Sequence, residues 1–173
     1  MLPVILVLIF VSLVLVVLIT VGACMLFFDV FLELPYVGAN KKRIKTIIEF
    51  SQIKKGEKVI DLGSGDGRLL FAAGKKGAKA VGYEINPLLI AITKFKIWAR
   101  KTNNIEVKKE SLWKADLKSA DIILVYALRK SMKKFEDYVY KNAKKGTRVI
   151  VNTNPFPNKK PKKQNDGIFL FLV

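Results

Sequence analysis

From Leu2 to Phe28 the chain carries no charged side chain and consists largely of Val, Leu and Ile. As a helix rising about 1.5 Å per residue this stretch measures about 40 Å, more than the roughly 30 Å of a bilayer's hydrocarbon core even allowing for tilt. It is apolar on every side, and the remaining chain is too short to surround so long a rod. The pattern predicts one transmembrane helix within residues 1–30. Leu34-Pro35-Tyr36-Val37-Gly38 then reads as a linker, and Ile44, Ile47 and Ile48 stand at helical spacing among basic residues, predicting an amphipathic helix over 41–53. Residues 31–57 thus form a connecting region, and 58–173 a separate domain.

Within that domain short apolar runs alternate with helical periodicities. Strands are predicted at 58–62, 78–84, 105–107, 122–125, 147–151 and 168–173. Helices are predicted over 68–73, over 87–101, where Leu88, Ile92, Phe95 and Ala99 mark the period after Pro87, and over 132–143, marked by Met132, Phe135, Val139 and Ala143. Residues 158–165 read as a basic, proline-containing loop. Strand and helix in alternation imply an α/β fold, a mostly parallel sheet with helices on both faces.

Charge sharpens the division. All 31 Lys and Arg lie from residue 41 onward with 12 acids, a net +19, while residues 1–40 hold only Asp29 and Glu33. A basic domain on an apolar anchor suits an anionic membrane surface; it also suits nucleic acid, or a Lys-rich solvated surface. Lys41, Lys42, Arg43 and Lys45 follow the apolar stretch and no cation precedes it, which predicts a cytoplasmic carboxyl-terminal domain. A cleaved signal peptide would need a basic start. The same lack counts against Val21-Gly22-Ala23-Cys24, which loosely resembles a lipoprotein processing box and would place the domain outside. With no histidine and Cys24 as the single cysteine, an imidazole base, an intrachain disulfide and a cysteine metal cluster are all excluded, and no metal is expected.

The chemistry concentrates after the first strand. Gly63-Ser64-Gly65-Asp66-Gly67 joins that strand to a helix, so the backbone can pass close to a ligand at a helix amino terminus. Asp61 precedes the turn and Glu84 ends the second strand, where a nucleoside's hydroxyl and amino groups would find acceptors. The spacing is Asp-x-Gly-x-Gly-x-Gly rather than the Gly-x-Gly-x-x-Gly of dinucleotide sites, and Asp61 and Asp66 would repel a pyrophosphate. This set resembles the cofactor signature of the class I S-adenosylmethionine-dependent methyltransferases, whose Rossmann-like fold and cofactor it implies.

A closer similarity covers most of the domain. Val59 to Arg68, Gly82-Tyr83-Glu84-Ile85-Asn86-Pro87-Leu88, Leu112-Trp113-Lys114 and Pro155-Phe156-Pro157, behind an apolar span and Pro35-Tyr36-Val37, resemble the membrane-anchored protein-lysine methyltransferases of the ATP synthase c-subunit and adenine nucleotide translocase type. The resemblance implies a lysine acceptor in a membrane protein, a lipid bilayer as a second partner, and cofactor contacts from Asp61, Gly63, Ser64, Gly65, Asp66, Gly67, Glu84, Ile85, Asn86, Ser111 and Leu112. Two departures stand out: Ser111 beside Glu110 where the family has Asp before Leu-Trp, and Thr153-Asn154 where it tends to have Arg-Phe.

Other residues admit two roles each. Trp113 could cover the adenine or plug the core. Tyr126 could line an acceptor channel or be an ordinary half-buried tyrosine. Asn154-Pro155-Phe156 resembles an amine-gripping element but follows the fifth strand rather than the fourth, which favours a structural turn. Methyl transfer from a sulfonium needs alignment and water exclusion more than a base, so no catalytic residue is named. Methylation of a lipid or small amphiphile is the alternative chemistry. A non-enzymatic RNA- or lipid-binding module would keep the charge but would not need Asp61, the glycines and Glu84 together, so nucleic acid is not an expected partner.

Overall fold

A computed structural model describes residues 2–31 and 40–173, with side chains for 2–24 and 40–173. The predicted linker Leu34–Gly38 lies outside the described residues. The chain divides into two compact units, residues 1–35 and 36–173. The first is helix α1, Leu2–Phe31. Its stretch Leu2–Cys24 is long and apolar enough to cross a membrane. The Ser12 hydroxyl donates to Ile9 O and the Thr20 hydroxyl to Val16 O and Val17 O, so these polar groups are satisfied within the helix. A segment facing hydrocarbon requires this.

The second unit begins with α2, Lys41–Ser51, capped by Asn40, whose Oδ1 accepts from Arg43 N at 2.9 Å. It ends two residues earlier than predicted because Gln52 turns left-handed at φ 45°. The order then runs β1 (Lys58–Leu62), α3 (Arg68–Lys75), β2 (Lys79–Glu84), α4 (Pro87–Ala99), β3 (Ile105–Lys109), β4 (Ile122–Tyr126), α5 (Met132–Asn142), β5 (Arg148–Asn152), β6 (Lys163–Asn165) and β7 (Ile168–Leu172). Two single 3-10 turns, Leu112–Lys114 and Leu117–Ser119, connect β3 to β4.

All seven strands form one sheet in the order β3-β2-β1-β4-β5-β7-β6. The first five are parallel, and β7 runs antiparallel to both β5 and β6. The mostly parallel sheet predicted from the sequence is therefore present. One face buries Val59, Ala80, Ile122, Leu124 and Ile150 beneath Ile47, Ile48 and Phe50 of α2 and Leu70 and Phe71 of α3. Because strand side chains alternate, Ile60, Leu62, Ile123, Val125, Val149 and Val151 fall on the other face, left to α5 with its buried Met132, Phe135 and Val139.

Two elements depart from the sequence pattern. The loop expected over 158–165 ends in strand β6, whose exposed Lys163-Gln164-Asn165 carry no strand signal and pair only with β7. In α4 the periodicity that marks the helix is not the face it buries. Leu89, Ile90 and Thr93 are buried, while Leu88, Phe95 and Ala99 are exposed. Other boundaries differ by one or two residues. Strand order reverses between β1 and β4, which opens a crevice at the carboxyl ends of the strands, where ligands of such sheets bind.

Candidate functional site

At that crevice β1 leads into the glycine turn. The amides of Gly63 and Ser64 both donate to Tyr83 O, at 3.0 and 3.1 Å, and tie the turn to β2. Gly63 lies at φ 95°, and a β-carbon there would meet nothing within 4 Å, so the outer side of the turn is open. Gly67 lies at φ 78°, where a β-carbon would come within 2.7 Å of Thr93 Cγ2. Only glycine serves at both positions. Asp61 ends up beneath this turn, at the carboxyl edge of the sheet.

The three acids of the site have three different environments. Glu84 accepts the amides of Gly65 (2.9 Å), Ile85 (2.8 Å) and Asn86 (2.8 Å), gathering the turn and the start of α4 onto one carboxylate. A carboxylate offers about four acceptor positions, so one remains for a ligand. Asp61 is 5 % exposed and its Oδ2 has no hydrogen-bond partner. Burial, and secondarily the charge of Glu84, push its pKa up to about 7. Asp66 is the reverse case. Burial opposes its ionisation, but hydrogen bonds from Arg68 and Lys96 and their charges hold it at about 2. Arg68 Nε lies 2.9 Å away, and Lys96 Nζ bonds both Asp66 O (2.9 Å) and Oδ2 (3.0 Å).

The other residues singled out in the sequence gather at the same edge. Ser64 is buried with its hydroxyl unpartnered. Asn86 spends its side chain capping α4, accepting from Leu88 N at 3.0 Å and Leu89 N at 3.4 Å. Ser111 and buried Leu112 follow β3, and the preceding Glu110 N donates to Glu84 O at 3.1 Å, which holds this segment beside β2. Trp113, half-buried, packs against Phe135 and Tyr138, with ring centroids 4.7 and 5.2 Å apart. Asn154 Nδ2 donates to Ala127 O and Phe156 is buried against Phe171, as a structural turn requires. Tyr126, half-buried, is the last residue of β4.

Several supporting residues escaped the sequence. Thr93, fully buried, donates to Gly65 O at 3.2 Å, and Lys96 clamps Asp66. Both come from α4, and the only signal was a threonine set in an otherwise apolar stripe. Across the crevice, Arg43 of α2 donates to Asn152 Oδ1 (3.0 Å) and Thr153 Oγ1 (3.2 Å) at the end of β5. Thr153 sits at φ 76°, which for a β-branched residue stores strain that the surroundings must hold in place.

Two buried, unpartnered acceptors, Asp61 Oδ2 and Ser64 Oγ, beside a second acid and an open glycine edge call for a ligand that brings N–H or O–H donors or positive charge. S-Adenosylmethionine, with its ammonium and sulfonium, meets that demand. A pyrophosphate does not.

A family profile described as ANTKMT methyltransferase domain matches residues 61–163. The human lysine N-methyltransferase of the ATP synthase c-subunit is 31% identical over 129 residues, 74% of this chain and 55% of that protein. The mouse adenine nucleotide translocase lysine N-methyltransferase is 31% identical over 132 residues, 75% of this chain and 57% of that protein. The chain thus spans little more than half the length of these relatives. Among solved structures, an RNA methyltransferase from Salinibacter ruber in complex with S-adenosyl-L-homocysteine superposes with a TM-score of 0.74 at 24% identity, covering 79% of this chain and 94% of that one. At that identity the likeness concerns the fold, a Rossmann-like methyltransferase fold.

Proposed function

From the premise that the chain belongs to the ANTKMT methyltransferase domain family, we propose that it is an S-adenosylmethionine-dependent methyltransferase that modifies a lysine side chain of a membrane protein. The observation that carries the cofactor assignment is Asp61, buried and unpartnered beside Glu84 at the open glycine turn. The acceptor class rests on the relatives' lysine substrates and on the apolar helix α1.

In this account residues 1–30 anchor the chain, residues 31–57 connect, and residues 58–173 bind the cofactor on the cytoplasmic side. Asp61 and Ser64 take the donors of the cofactor's amino-acid end. Gly63, Gly65 and Gly67 let it approach the backbone, Asp66 fixes the turn through Lys96 and Arg68, and Asn86 and Ile85 shape the start of α4. Glu84 offers its remaining acceptor position to a ribose hydroxyl, and Ser111 and Leu112 flank the base.

S-Adenosylmethionine supplies a methyl group on a sulfonium already activated to leave, so transfer to a neutral amine is an in-line displacement. The chain's part is to align and to exclude water. Tyr126, Asn152 and Thr153, on the neighbouring strand ends, form the acceptor side. Desolvation there favours the neutral lysine, and no side chain is assigned as base.

Calorimetric titration of the detergent-solubilised full chain tests the site. Binding of S-adenosylmethionine but not NAD is expected, and Gly65→Arg abolishes it by filling the cofactor's space with a cation. Full affinity in both Gly65→Arg and Glu84→Ala would remove the assignment.

A further inference from the structure

Helix α4 turns outward a stripe that would ordinarily belong in a core. Leu88, Phe95 and Trp98 are 36, 64 and 74% exposed, and no other described large apolar side chain of residues 40–173 exceeds 43%. The Phe95 and Trp98 rings lie side by side, 5.8 Å between centroids. The opposite face of the helix is already committed, with Leu89, Ile90 and Thr93 buried and Lys96 bonded to Asp66, so the stripe is not a misplaced core face waiting to turn inward.

Its surroundings indicate the kind of partner. Exposed Lys94 precedes and exposed Lys101 follows the two rings in sequence, while the Arg100 guanidinium lies over the Phe71 ring, 4.5 Å from its centroid; the sequence from Ile85 to Asn104 contains no acid. Trp and Phe beside cations with no acid among them suit the headgroup zone of an anionic bilayer, where the rings sit at the apolar boundary and the cations meet phosphates. An acidic protein groove would satisfy the cations but would desolvate its own acids against two large apolar rings. The same chain carries α1, apolar enough to cross a membrane, and only the eight residues 32–39 separate its last residue from Asn40. Such a linker spans at most about 28 Å.

We propose that the outer face of α4 is a membrane-docking surface, with Phe95 and Trp98 entering the interface of an anionic leaflet and Lys94 and Lys101 pairing with its phosphates. The proposal rests on α1 as a span and goes beyond it, because it fixes which side of the domain meets the bilayer. The stripe begins at Leu88, two residues after the cap Asn86, whose amide bonds Glu84. The glycine turn packs on the opposite, buried face of α4 through Thr93, so docking along the stripe sets the turn about one helix diameter, roughly 10 Å, from the leaflet and gives the domain one orientation toward an acceptor held in the bilayer.

The sequence has two tryptophans, Trp98 and Trp113. In full-length Trp113→Phe reconstituted into phosphatidylcholine vesicles with about a third phosphatidylglycerol, Trp98 fluorescence is expected to be quenched by lipids brominated on the acyl chain. Quenching should drop by about two-fold or more in pure phosphatidylcholine or in high salt, where the cations lose their partners or are screened. Phe95→Glu should lower it without changing vesicle flotation. If Trp113→Phe does not fold, the difference between wild type and Trp98→Phe gives the same quantity. Trp98 open to aqueous acrylamide and untouched by brominated lipid would overturn the proposal. Shielding from both quenchers would assign the face to a second copy or another protein and overturn it equally. Flotation after a carbonate wash reads the anchor separately: loss there removes the span itself, whereas retention with unquenched Trp98 removes only the docking.

Discussion

Asp61→Asn should stabilise the ligand-free protein at neutral pH and at the same time weaken its affinity for the cofactor. The carboxyl is buried, lacks a partner at Oδ2 and faces the charge of Glu84, so its pKa rises from 3.8 to about 7. Its folded-state value lies above the unfolded one, so between pH 4 and 7 the native state holds a proton that the unfolded chain has released. Stability from this group is therefore greatest below pH 4 and falls as pH rises through 7. At about 1.4 kcal/mol per pH unit the full loss is of order 4 kcal/mol, and solvent relaxation makes roughly 2 the working minimum. Asparagine keeps the shape without the charge. Near pH 8 the variant should unfold about 8 °C or more above wild type, at about 4 °C per kcal/mol for a domain of this size, and the two should converge only below about pH 4, where the carboxyl is protonated in both folded and unfolded chains. Asp66, Asp121 and Glu57, whose pKa values are lowered, are common to both proteins and cancel in the difference. The cofactor's ammonium needs the ionised form, so wild-type affinity should rise with pH through 7. The variant should bind about 10- to 100-fold more weakly, the loss of one hydrogen bond to a charged group. Thermal unfolding from about pH 3.5 to 8 and calorimetry across about pH 5 to 8 read the two effects. Parallel stability profiles, or full affinity in the variant, would refute the reasoning.

Gly82→Ala would place a β-carbon in collision with Ser64 Oγ and 2.7 Å from Leu70 Cδ1. We expect a loss of about 1–3 kcal/mol in denaturant unfolding, and at least a tenfold loss of cofactor affinity as Ser64 is pushed from the turn. Arg43→Ala removes the bonds that hold Asn152 and Thr153. It should lower kcat while leaving the cofactor Kd unchanged, and an equal effect on both would count against a role on the acceptor side.

Much of the fold was legible because most strands are short apolar runs with punctuating turns. β6 was not: Lys163-Gln164-Asn165 is a strand only because the backbone of β7 lies beside it, and an edge strand exposed on both faces leaves no hydrophobic pattern. The outward stripe of α4 misleads for a related reason, since periodicity reports a helix but not which side it buries. In the site, Asp61, the glycines and Glu84 were legible because local backbone chemistry dictates them. Lys96 and Thr93 were not, because their partners Asp66 and Gly65 lie 30 and 28 residues away and only the folded sheet brings them together. Asn86 was legible as part of the motif, yet its side chain serves the helix end instead of standing free for a ligand.

Methyl transfer to lysine in a membrane protein is tested most directly by incubating native membranes lacking this protein with methyl-labelled S-adenosylmethionine and the purified full chain, then separating protein, lipid and RNA and hydrolysing each. Label recovered as methyl-lysine from a membrane protein, and reduced about tenfold or more at subsaturating cofactor when Asp61→Asn replaces wild type, is the predicted result. Label in the lipid or RNA fraction, or in bulk soluble protein, would contradict it.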